Sequence, residues 1–199
     1  MGRRSKMNNT VKSALIVGVG GQGTLLASKV LGRVVLSEGY DVKVSEVHGM
    51  SQRGGSVVTY VRWGEKVYSP VVTDGEADFI LSFEKLEAAR YASCLKKDGK
   101  IITNNRETDP MPVITGACEY PSDVLEKLKA NGADVFAFDA LSLAAEAGTA
   151  RAVNIVLLGK FAKETDIPAE KWIEAIKACV KPQFVDVNVK AFNLGYGIE

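Results

Sequence analysis

The feature that most constrains this chain is a glycine-rich turn between an apolar run and an amphipathic segment. Residues 14–17 are continuously apolar, as expected for a strand buried on both faces of a sheet. The turn Gly18-Val19-Gly20-Gly21-Gln22-Gly23 follows directly. Residues 25–38 then alternate apolar and polar side chains at helical spacing, and Gly39 is placed to end the helix. Strand, turn and helix in this order predict an α/β protein with a nucleotide-type crevice.

The rest of the chain predicts strands alternating with helices, and then helices alone. We expect strands at 41–47, 56–63, 66–72, 78–83, 100–103 and 135–138, with helices at about 84–95 and 122–131. The strands at 56–63 and 66–72 are separated by Gly64-Glu65, which predicts a hairpin. Beyond Asp139 we expect only helices, at about 141–147, 150–164, 168–180 and 184–196.

This order of elements predicts a Rossmann-like, doubly wound and mostly parallel sheet with a helical C-terminal region. A length of 199 residues suits one domain with a sizeable core. Within that domain we expect a flexible tail over 1–12, an α/β sheet core over 12–140 and a helical region over 141–199.

Composition and charge exclude several classes of partner. Charged residues make up 25% of the chain and hydrophobic ones 46%, which is typical of a globular protein. A net charge of +1 predicts no nucleic-acid partner, because nucleic-acid binding proteins usually carry a strongly basic face or tail. No apolar run approaches the roughly 20 residues that span a bilayer, so we expect no membrane contact and a cytoplasmic location.

The usual metal ligands are scarce. The three cysteines, Cys94, Cys118 and Cys179, are widely spaced and fit reduced thiols. With one histidine and no Cys-x-x-Cys, the sequence predicts neither a zinc site nor an iron–sulfur cluster. Asp74-Gly75 followed by Asn104-Asn105 loosely resembles a thiamine diphosphate signature, but a complete strand, helix and strand are predicted between the two halves, so we interpret the match as chance.

The glycine turn has the chemistry of an anion site. Its Gly-x-Gly-x-x-Gly pattern is met by Gly18, Gly20 and Gly23, and a helix that begins after such a turn directs N–H groups and a partial positive charge at a ligand. The alternative is a tight turn whose glycines serve packing only. No Gly-Lys-Ser or Gly-Lys-Thr follows, which excludes a P-loop. Glu46, an acid near the end of the second strand, suggests NAD without deciding it.

A polar loop follows Glu46 and argues against a simple dehydrogenase. Loops at the carboxyl ends of strands in a doubly wound sheet face one crevice, so this loop is expected beside the glycine turn. Its donors suit a phosphate, a carboxylate or the polar backbone of a partner, and Arg53 is the strongest candidate. The alternative is that Arg53 pairs with a local acid and His48 is structural. The candidate ligand- or partner-binding residues are therefore Gly18, Gly20, Gly21, Gln22, Gly23, Glu46, His48, Gly49, Ser51, Gln52 and Arg53.

The glycine turn together with Glu46-Val47-His48-Gly49-Met50-Ser51-Gln52-Arg53-Gly54-Gly55-Ser56-Val57 resembles the gamma-type subunit of the 2-oxoacid:ferredoxin oxidoreductases. The resemblance extends over nearly the whole chain after Lys12, including residues 154–159 and 191–196. Within that family the chain looks most like the small beta subunit of indolepyruvate ferredoxin oxidoreductase. Pyruvate, 2-oxoglutarate and branched-chain oxoacid relatives are the alternatives.

The resemblance implies a complex that oxidatively decarboxylates a 2-oxoacid, transfers the acyl group to coenzyme A and reduces ferredoxin. It implies that thiamine diphosphate, Mg²⁺ and [4Fe–4S] clusters are held by a large partner subunit, that this chain alone holds no cofactor, and that the isolated chain is inactive. Two other hypotheses stay open: a free-standing NAD(P)-dependent oxidoreductase that uses Glu46, and a nucleotide-sensing or scaffolding module.

Overall fold

The computed structural model describes residues 10–48 and 55–199. Residues 1–9 of the predicted tail lie outside this part, and the first strand begins at Lys12. The strands are β1 (Lys12–Val19), β2 (Asp41–His48), β3 (Ser56–Gly64), β4 (Ala77–Ser82), β5 (Leu95–Asn104) and β6 (Asp134–Phe138). The helices are α1 (Thr24–Ser37), α2 (Lys85–Arg90), α3 (Met111–Ile114), α4 (Val124–Ala130), α5 (Ala140–Ala147), α6 (Val153–Lys163), α7 (Ala169–Cys179) and α8 (Val185–Tyr196). Short 3₁₀ helices cover Ala92–Cys94, Ala150–Ala152 and Pro182–Phe184.

The strands form one mixed sheet. In the described part of the chain it has six strands, in the order β2-β3-β1-β4-β5-β6. The pairs β1–β4, β4–β5 and β5–β6 are parallel, whereas β3 is antiparallel to both of its neighbours, β1 and β2. Since only β3 opposes the others within the described residues, the predicted mostly parallel α/β fold is confirmed.

The central strand β1 shows why the sheet is covered on both faces. Ala14, Leu15, Ile16 and Val17 are each 0% exposed. Ala14 and Ile16 pack into one apolar cluster with α1, α5, α6, α7 and α8, and Leu15 and Val17 pack into another with α2 and α4. Because successive side chains of a strand point to opposite faces, one uninterrupted apolar run supplies both clusters.

The predicted hairpin is wrong. Residues 66–72 form no strand, because β3 is already paired on both edges and offers no free ladder. The backbone of this segment instead bonds to side chains: Val67 N–H donates to Asp41 Oδ2 at 2.9 Å, and Arg62 Nη1 donates to the Val71 carbonyl at 2.6 Å. The segment therefore crosses from β3 to β4 as a loop in which Val67 and Val72 are buried and Val71 is exposed.

The boundary between the second helix and its following strand also differs from the prediction. The helix expected over 84–95 is shorter, α2 being followed by the 3₁₀ helix Ala92–Cys94, and β5 begins at Leu95 rather than near residue 100. The extra strand residues are irregular. The register with β4 shifts between Ala77 and Phe79, and Asp98 has a φ of 67°. The predicted C-terminal helices lie within a few residues of α5 to α8.

Helices α6 and α8 cross at two glycines. A Cβ atom added to Gly195 would lie 1.9 Å from the Val156 carbonyl oxygen, and one added to Gly159 would lie 2.2 Å from the Phe192 carbonyl oxygen. These are backbone atoms that cannot rotate away. The absence of side chains at both positions therefore sets how closely the two helices pack.

Candidate functional site

The glycine turn joins the end of β1 to the start of α1. Gly21 and Gly23 have φ angles of +99° and +92°, in the left-handed region that side chains disfavour. The other end of the turn is fixed by hydrogen bonds. Gly20 N–H donates to the Gly55 carbonyl at 2.8 Å, and Val19 N–H donates to Gln22 Oε1 at 2.8 Å. The side-chain oxygen of Gln22 thus shapes the turn itself.

Two neighbours explain why Gly18 and Gly23 carry no side chain. A Cβ atom at Gly18 would lie 2.7 Å from Gln22 Oε1 and 3.1 Å from Phe83 Cβ. A Cβ atom at Gly23 would lie 2.7 Å from Asn154 Nδ2. Asn154, near the start of α6, is 4% exposed and donates to the Gly23 carbonyl at 3.3 Å. Part of the glycine pattern therefore serves packing, as the alternative interpretation of the turn proposed.

The contact with Asn154 gives a testable expectation. Gly23→Ala should lower the free energy of unfolding by about 2 kcal/mol, because it combines left-handed strain with a clash against a buried amide. Gly39→Ala is the control, since Gly39 has a similar φ of +86° but nothing within 4 Å of an added Cβ, and it should cost about 1 kcal/mol. Urea denaturation measures both. Equal losses of unfolding free energy in the two variants would show that the Asn154 side chain moves aside at no cost.

The turn nevertheless keeps the features of an anion site. No side chain caps the N-terminus of α1, and the first turn of this helix holds no acidic residue. The N–H groups of a first helical turn have no partner within the helix and carry a partial positive charge. The turn therefore presents uncapped donors to the carboxyl-end edge of the sheet.

Two clefts flank the turn, one on each side. The first is about 380 Å³ and is lined by Gly20, Gly21, Gly23, Thr24, Leu25, Glu46 and Val57. The second is about 400 Å³ and includes Gly21, Gly23, Phe83, Asn104, Arg106 and Arg151 among its lining residues. The glycine turn is the wall that the two clefts share.

Of the predicted candidates beyond the glycine turn, Glu46 and His48 lie in the described part of the chain. Glu46 is exposed, lines that cleft and is aligned with Thr59 of β3. His48 is the last residue of β2 and is aligned with Val57. Gly49, Ser51, Gln52 and Arg53 lie outside the described residues. Since Gly55 accepts a hydrogen bond from Gly20, the point where the described chain resumes is attached directly to the glycine turn.

The sheet order argues against the predicted NAD alternative. In a dinucleotide-binding sheet the second strand lies beside the first, so that its terminal acid reaches the ribose of a nucleotide held at the glycine turn. Here β3 lies between β1 and β2. With strands about 4.8 Å apart, Glu46 is displaced by one additional strand from the position that such an acid occupies.

Two buried carboxylates, Glu84 and Glu87, form a hydrogen-bonded network that reaches the start of β3. Glu84 is 1% exposed, accepts hydrogen bonds from Tyr120 Oη and from Glu87 N–H, and is the N-cap residue of α2. Glu87 accepts a hydrogen bond from Ser56 and pairs with Arg90 at 3.0 Å. Burial raises the pKa of the Glu87 carboxyl, although Ser56 and Arg90 oppose the shift. This network fixes Ser56, the first residue of β3, and is structural.

The described residues bring no metal site to these clefts. In residues 10–48 and 55–199 no group of three or more histidine, cysteine, aspartate or glutamate side chains is placed to hold a metal ion. Within the same residues, no helix combines the length and the apolar character needed to cross a membrane. The second cleft offers backbone groups and two arginines, which suit an anion, whereas the first offers backbone groups beside the exposed carboxylate of Glu46.

Comparison with known proteins identifies the family. The family model of pyruvate ferredoxin/flavodoxin oxidoreductase matches residues 13–198. The chain belongs to the pyruvate ferredoxin/flavodoxin oxidoreductase family. This confirms the resemblance inferred from the glycine turn and the segment that follows Glu46.

Relatives within the pyruvate ferredoxin/flavodoxin oxidoreductase family agree with the predicted subgroup. The chain is 49% identical to indolepyruvate oxidoreductase subunit IorB of Pyrococcus horikoshii, over 91% of this chain and 92% of the relative. It is 47% identical to subunit IorB of Thermococcus kodakarensis, over the same shares. The fold is also that of the pyruvate oxidoreductase subunit PORC of Thermotoga maritima, with a TM-score of 0.72 at 21% identity over 94% of this chain and 95% of that one.

Sequence reasoning missed the second cleft of this family member. Arg106 follows β5 by two residues, and Arg151 lies in the 3₁₀ helix before α6. A strand at 100–103 was predicted, and loops after parallel strands share one edge, so Arg106 could have been placed at the crevice from the sequence. The positions of Arg151 and Asn154 beside the turn could not be predicted from the sequence. Both residues come from the helical region, and a helical region has no strand register that would place its residues relative to the sheet.

Proposed function

We propose that this chain is the small subunit of a heteromeric 2-oxoacid:ferredoxin oxidoreductase that acts on indolepyruvate or a similar arylpyruvate. The observation that carries this proposal is the identity of 47–49% to two IorB subunits, over about nine tenths of both chains. We also propose that the complex is cytoplasmic.

The reaction of such a complex divides the chemistry between subunits. One 2-oxoacid and one coenzyme A give one acyl-coenzyme A, one CO₂ and one proton, and two electrons pass to two one-electron ferredoxins. Thiamine diphosphate, Mg²⁺ and [4Fe–4S] clusters supply the decarboxylation and the electron path. The described residues of this chain hold no group of three potential metal ligands, so they do not fit such a cluster. We therefore assign these cofactors to the large partner subunit.

The role we propose for this chain is to complete the ligand site from one side. The uncapped start of α1 and the backbone N–H groups of Gly21 and Gly23 can donate hydrogen bonds to a phosphate of coenzyme A or to the polar backbone of the partner, while Gly20 N–H holds the turn through Gly55. Gly18 and Gln22 shape the turn, and Glu46, His48, Gly49, Ser51, Gln52 and Arg53 remain the proposed ligand- or partner-binding residues. Exclusion of water and positioning of the acyl acceptor are what such a wall contributes to the reaction.

Two measurements test the proposed function. The tagged chain, purified from its native cell, should bring down a larger subunit that contains iron. The assembled complex should reduce a viologen dye in the presence of coenzyme A and an arylpyruvate, more rapidly than with pyruvate or 2-oxoglutarate, and the isolated chain should not. Faster turnover of pyruvate would reassign the substrate, while tight binding of NAD(H) by the isolated chain would favour a free-standing oxidoreductase.

Arg53 provides a residue-level expectation. Arg53→Ala should lower kcat/KM for coenzyme A in the assembled complex by about 10-fold, the cost of one charge-assisted hydrogen bond. Steady-state kinetics at varied coenzyme A measures the loss. Arg33→Ala is the matched control, because Arg33 is an exposed arginine in the middle of α1. Unchanged kinetics in an intact Arg53→Ala complex would contradict the assignment.

A further inference from the structure

The first turn of α2 holds the loop that follows β5. Lys85 N–H donates to the Arg106 carbonyl at 3.1 Å, and Leu86 N–H donates to Tyr120 Oη at 3.2 Å. The N–H groups of a first helical turn have no partner within the helix, so they are free to bond elsewhere. The segment from Arg106 to Tyr120 is therefore attached at both of its ends to the start of one helix.

A buried carboxylate adds to this attachment. The Oε1 atom of Glu84, which is 1% exposed, accepts hydrogen bonds from Thr108 N–H at 3.3 Å and from Tyr120 Oη. Its Oε2 atom accepts a hydrogen bond from Glu87 N–H at 2.9 Å. In the described part of the chain no lysine or arginine forms an ion pair with Glu84. The carboxylate is therefore stabilised by hydrogen bonds, each of which fixes the position of a donor.

This arrangement is unfavourable for stability alone. A carboxylate buried without a counter-charge loses hydration that hydrogen bonds only partly replace. Glu87, a second buried carboxylate, lies further along α2, and Thr108 Oγ1 is buried without a hydrogen-bond partner among the described residues. Apolar side chains would join α2 to the loop at least as strongly. The network therefore indicates that these groups determine the position of the loop rather than the stability of the fold.

The start of α2 lies between the two walls of the second cleft. Arg106 lines one wall, and the glycine turn lines the other. Phe83, the residue before Glu84, also lines the cleft, and a Cβ atom added to Gly18 of the turn would lie 3.1 Å from Phe83 Cβ. Neither Glu84 nor Tyr120 lines the cleft. They can act on it only by setting the distance between its walls.

We propose that Glu84 and Tyr120, beyond their structural role, are positioning residues for an anion bound in the second cleft. They contact no ligand, and they act by holding Arg106 at a fixed distance from the glycine turn. A guanidinium forms paired hydrogen bonds with a phosphate only in a narrow range of positions, and buried hydrogen bonds behind it maintain that range. The identification of the anion as a phosphate of coenzyme A rests on the proposed function, whereas the positioning role requires only an anion.

Isothermal titration of the full chain with inorganic pyrophosphate and with coenzyme A tests this role. Tyr120→Phe keeps the ring but removes the hydroxyl that joins Glu84 to Leu86 N–H, and it should raise both Kd values about 5-fold, as loss of one hydrogen bond implies. Glu84→Gln, which keeps the shape of the side chain, should act in the same direction. Tyr91→Phe is the matched control and should change the Kd less than about 2-fold. Tyr91 packs in the same apolar cluster as Tyr120, but among the described residues its hydroxyl makes no hydrogen bond.

A double variant separates positioning from stability. In an Arg106→Gln background Tyr120→Phe should change the Kd less than about 2-fold, because the group that it positions is absent. A hydroxyl with a purely structural role would have the same effect in both backgrounds. In the assembled complex Tyr120→Phe should raise KM for coenzyme A and leave kcat unchanged, the pattern expected when only binding is weakened.

Several results would overturn the positioning role. They are a Tyr120→Phe chain that is less stable to urea but binds both anions as tightly as the wild type, an equal loss of affinity in Tyr91→Phe, a loss that persists in full in the Arg106→Gln background, and failure of the wild-type chain to bind either anion. Pyrophosphate affinity does not depend on turnover, so the positioning role and the proposed oxidoreductase function can fail separately.

Discussion

Gly195→Ala is expected to lower the free energy of unfolding by about 3 kcal/mol or more, although alanine is the better helix former by about 1 kcal/mol. The reason is the crossing of α6 and α8. An added Cβ would lie 1.9 Å from the Val156 carbonyl oxygen and 2.7 Å from its carbon. Since these are backbone atoms inside a helix, the helices must separate, and the buried Phe192 and Ile155 beside them lose contacts. Urea denaturation followed by circular dichroism measures the loss.

Gly32→Ala is the matched control. Gly32 is a buried glycine within α1, but the nearest atom to an added Cβ is Val44 Cγ2 at 3.9 Å. Here the helix propensity should prevail and stabilise the protein by up to about 1 kcal/mol. Gly159→Ala should resemble Gly195→Ala, and the double variant should lose less than the sum, because both methyl groups separate the same pair of helices. A Gly195→Ala protein as stable as the wild type would contradict the close contact between the backbones of α6 and α8 at Gly195.

The two kinds of glycine show what local sequence can and cannot reveal. The turn 18–23 was interpretable because strand, turn and helix signals lie next to each other in the sequence. Gly159 and Gly195 lie in helical patterns where glycine is merely unfavourable, and the contact that requires them joins helices distant in sequence. The helices could therefore be predicted from periodicity, whereas their packing distance could not.

The pairing of the antiparallel strand β3 also could not be predicted from local sequence. The strand signal at 56–63 was correct, but the local pattern suggested that it pairs with the next segment along the chain. In the structure β3 pairs with β1 and β2 instead. Because β3 lies between β1 and β2, Glu46 does not occupy the usual position of a ribose-binding acid. The predicted hairpin and the NAD alternative therefore both rested on the same error, the place of β3 in the sheet. Strand order depends on long-range pairing, which short motifs do not encode.

Glu164→Ala is expected to lower the free energy of unfolding by about 3–5 kcal/mol, the usual cost of leaving a buried charge without its partner. Glu164 lies between two ammonium groups. Its Oε1 is 2.9 Å from Lys160 Nζ and its Oε2 is 2.5 Å from Lys100 Nζ. Lys160 is 1% exposed, and its ammonium lies 4.0 Å from the centroid of the Phe136 ring. Without Glu164, two like charges remain together, one of them buried.

Two comparisons isolate the buried charge. Asp123→Ala breaks the exposed pair between Asp123 and Lys127, whose side chains are 51% and 69% exposed, and should cost less than about 0.5 kcal/mol. Adding Lys160→Met to Glu164→Ala should restore much of the lost stability, because the buried position then holds an apolar side chain of similar length. Equal losses in Asp123→Ala and Glu164→Ala would show that Lys160 finds another partner.

The same cluster predicts a dependence on pH. Burial alone would raise the pKa of the Glu164 carboxyl, but hydrogen bonds and charge from Lys100 and Lys160 prevail and hold this pKa below its ordinary value. The unfolded chain therefore binds a proton at a higher pH than the folded one. The stabilisation is complete above the ordinary glutamate pKa of about 4.3 and is lost as the pH falls through the lower pKa of the folded state.

Urea denaturation at roughly half-unit steps between about pH 3 and pH 7 tests this dependence. The difference in the free energy of unfolding between wild type and Glu164→Ala should become smaller as the pH is lowered. A difference that stays constant with pH would mean that the carboxylate charge is not what stabilises the cluster.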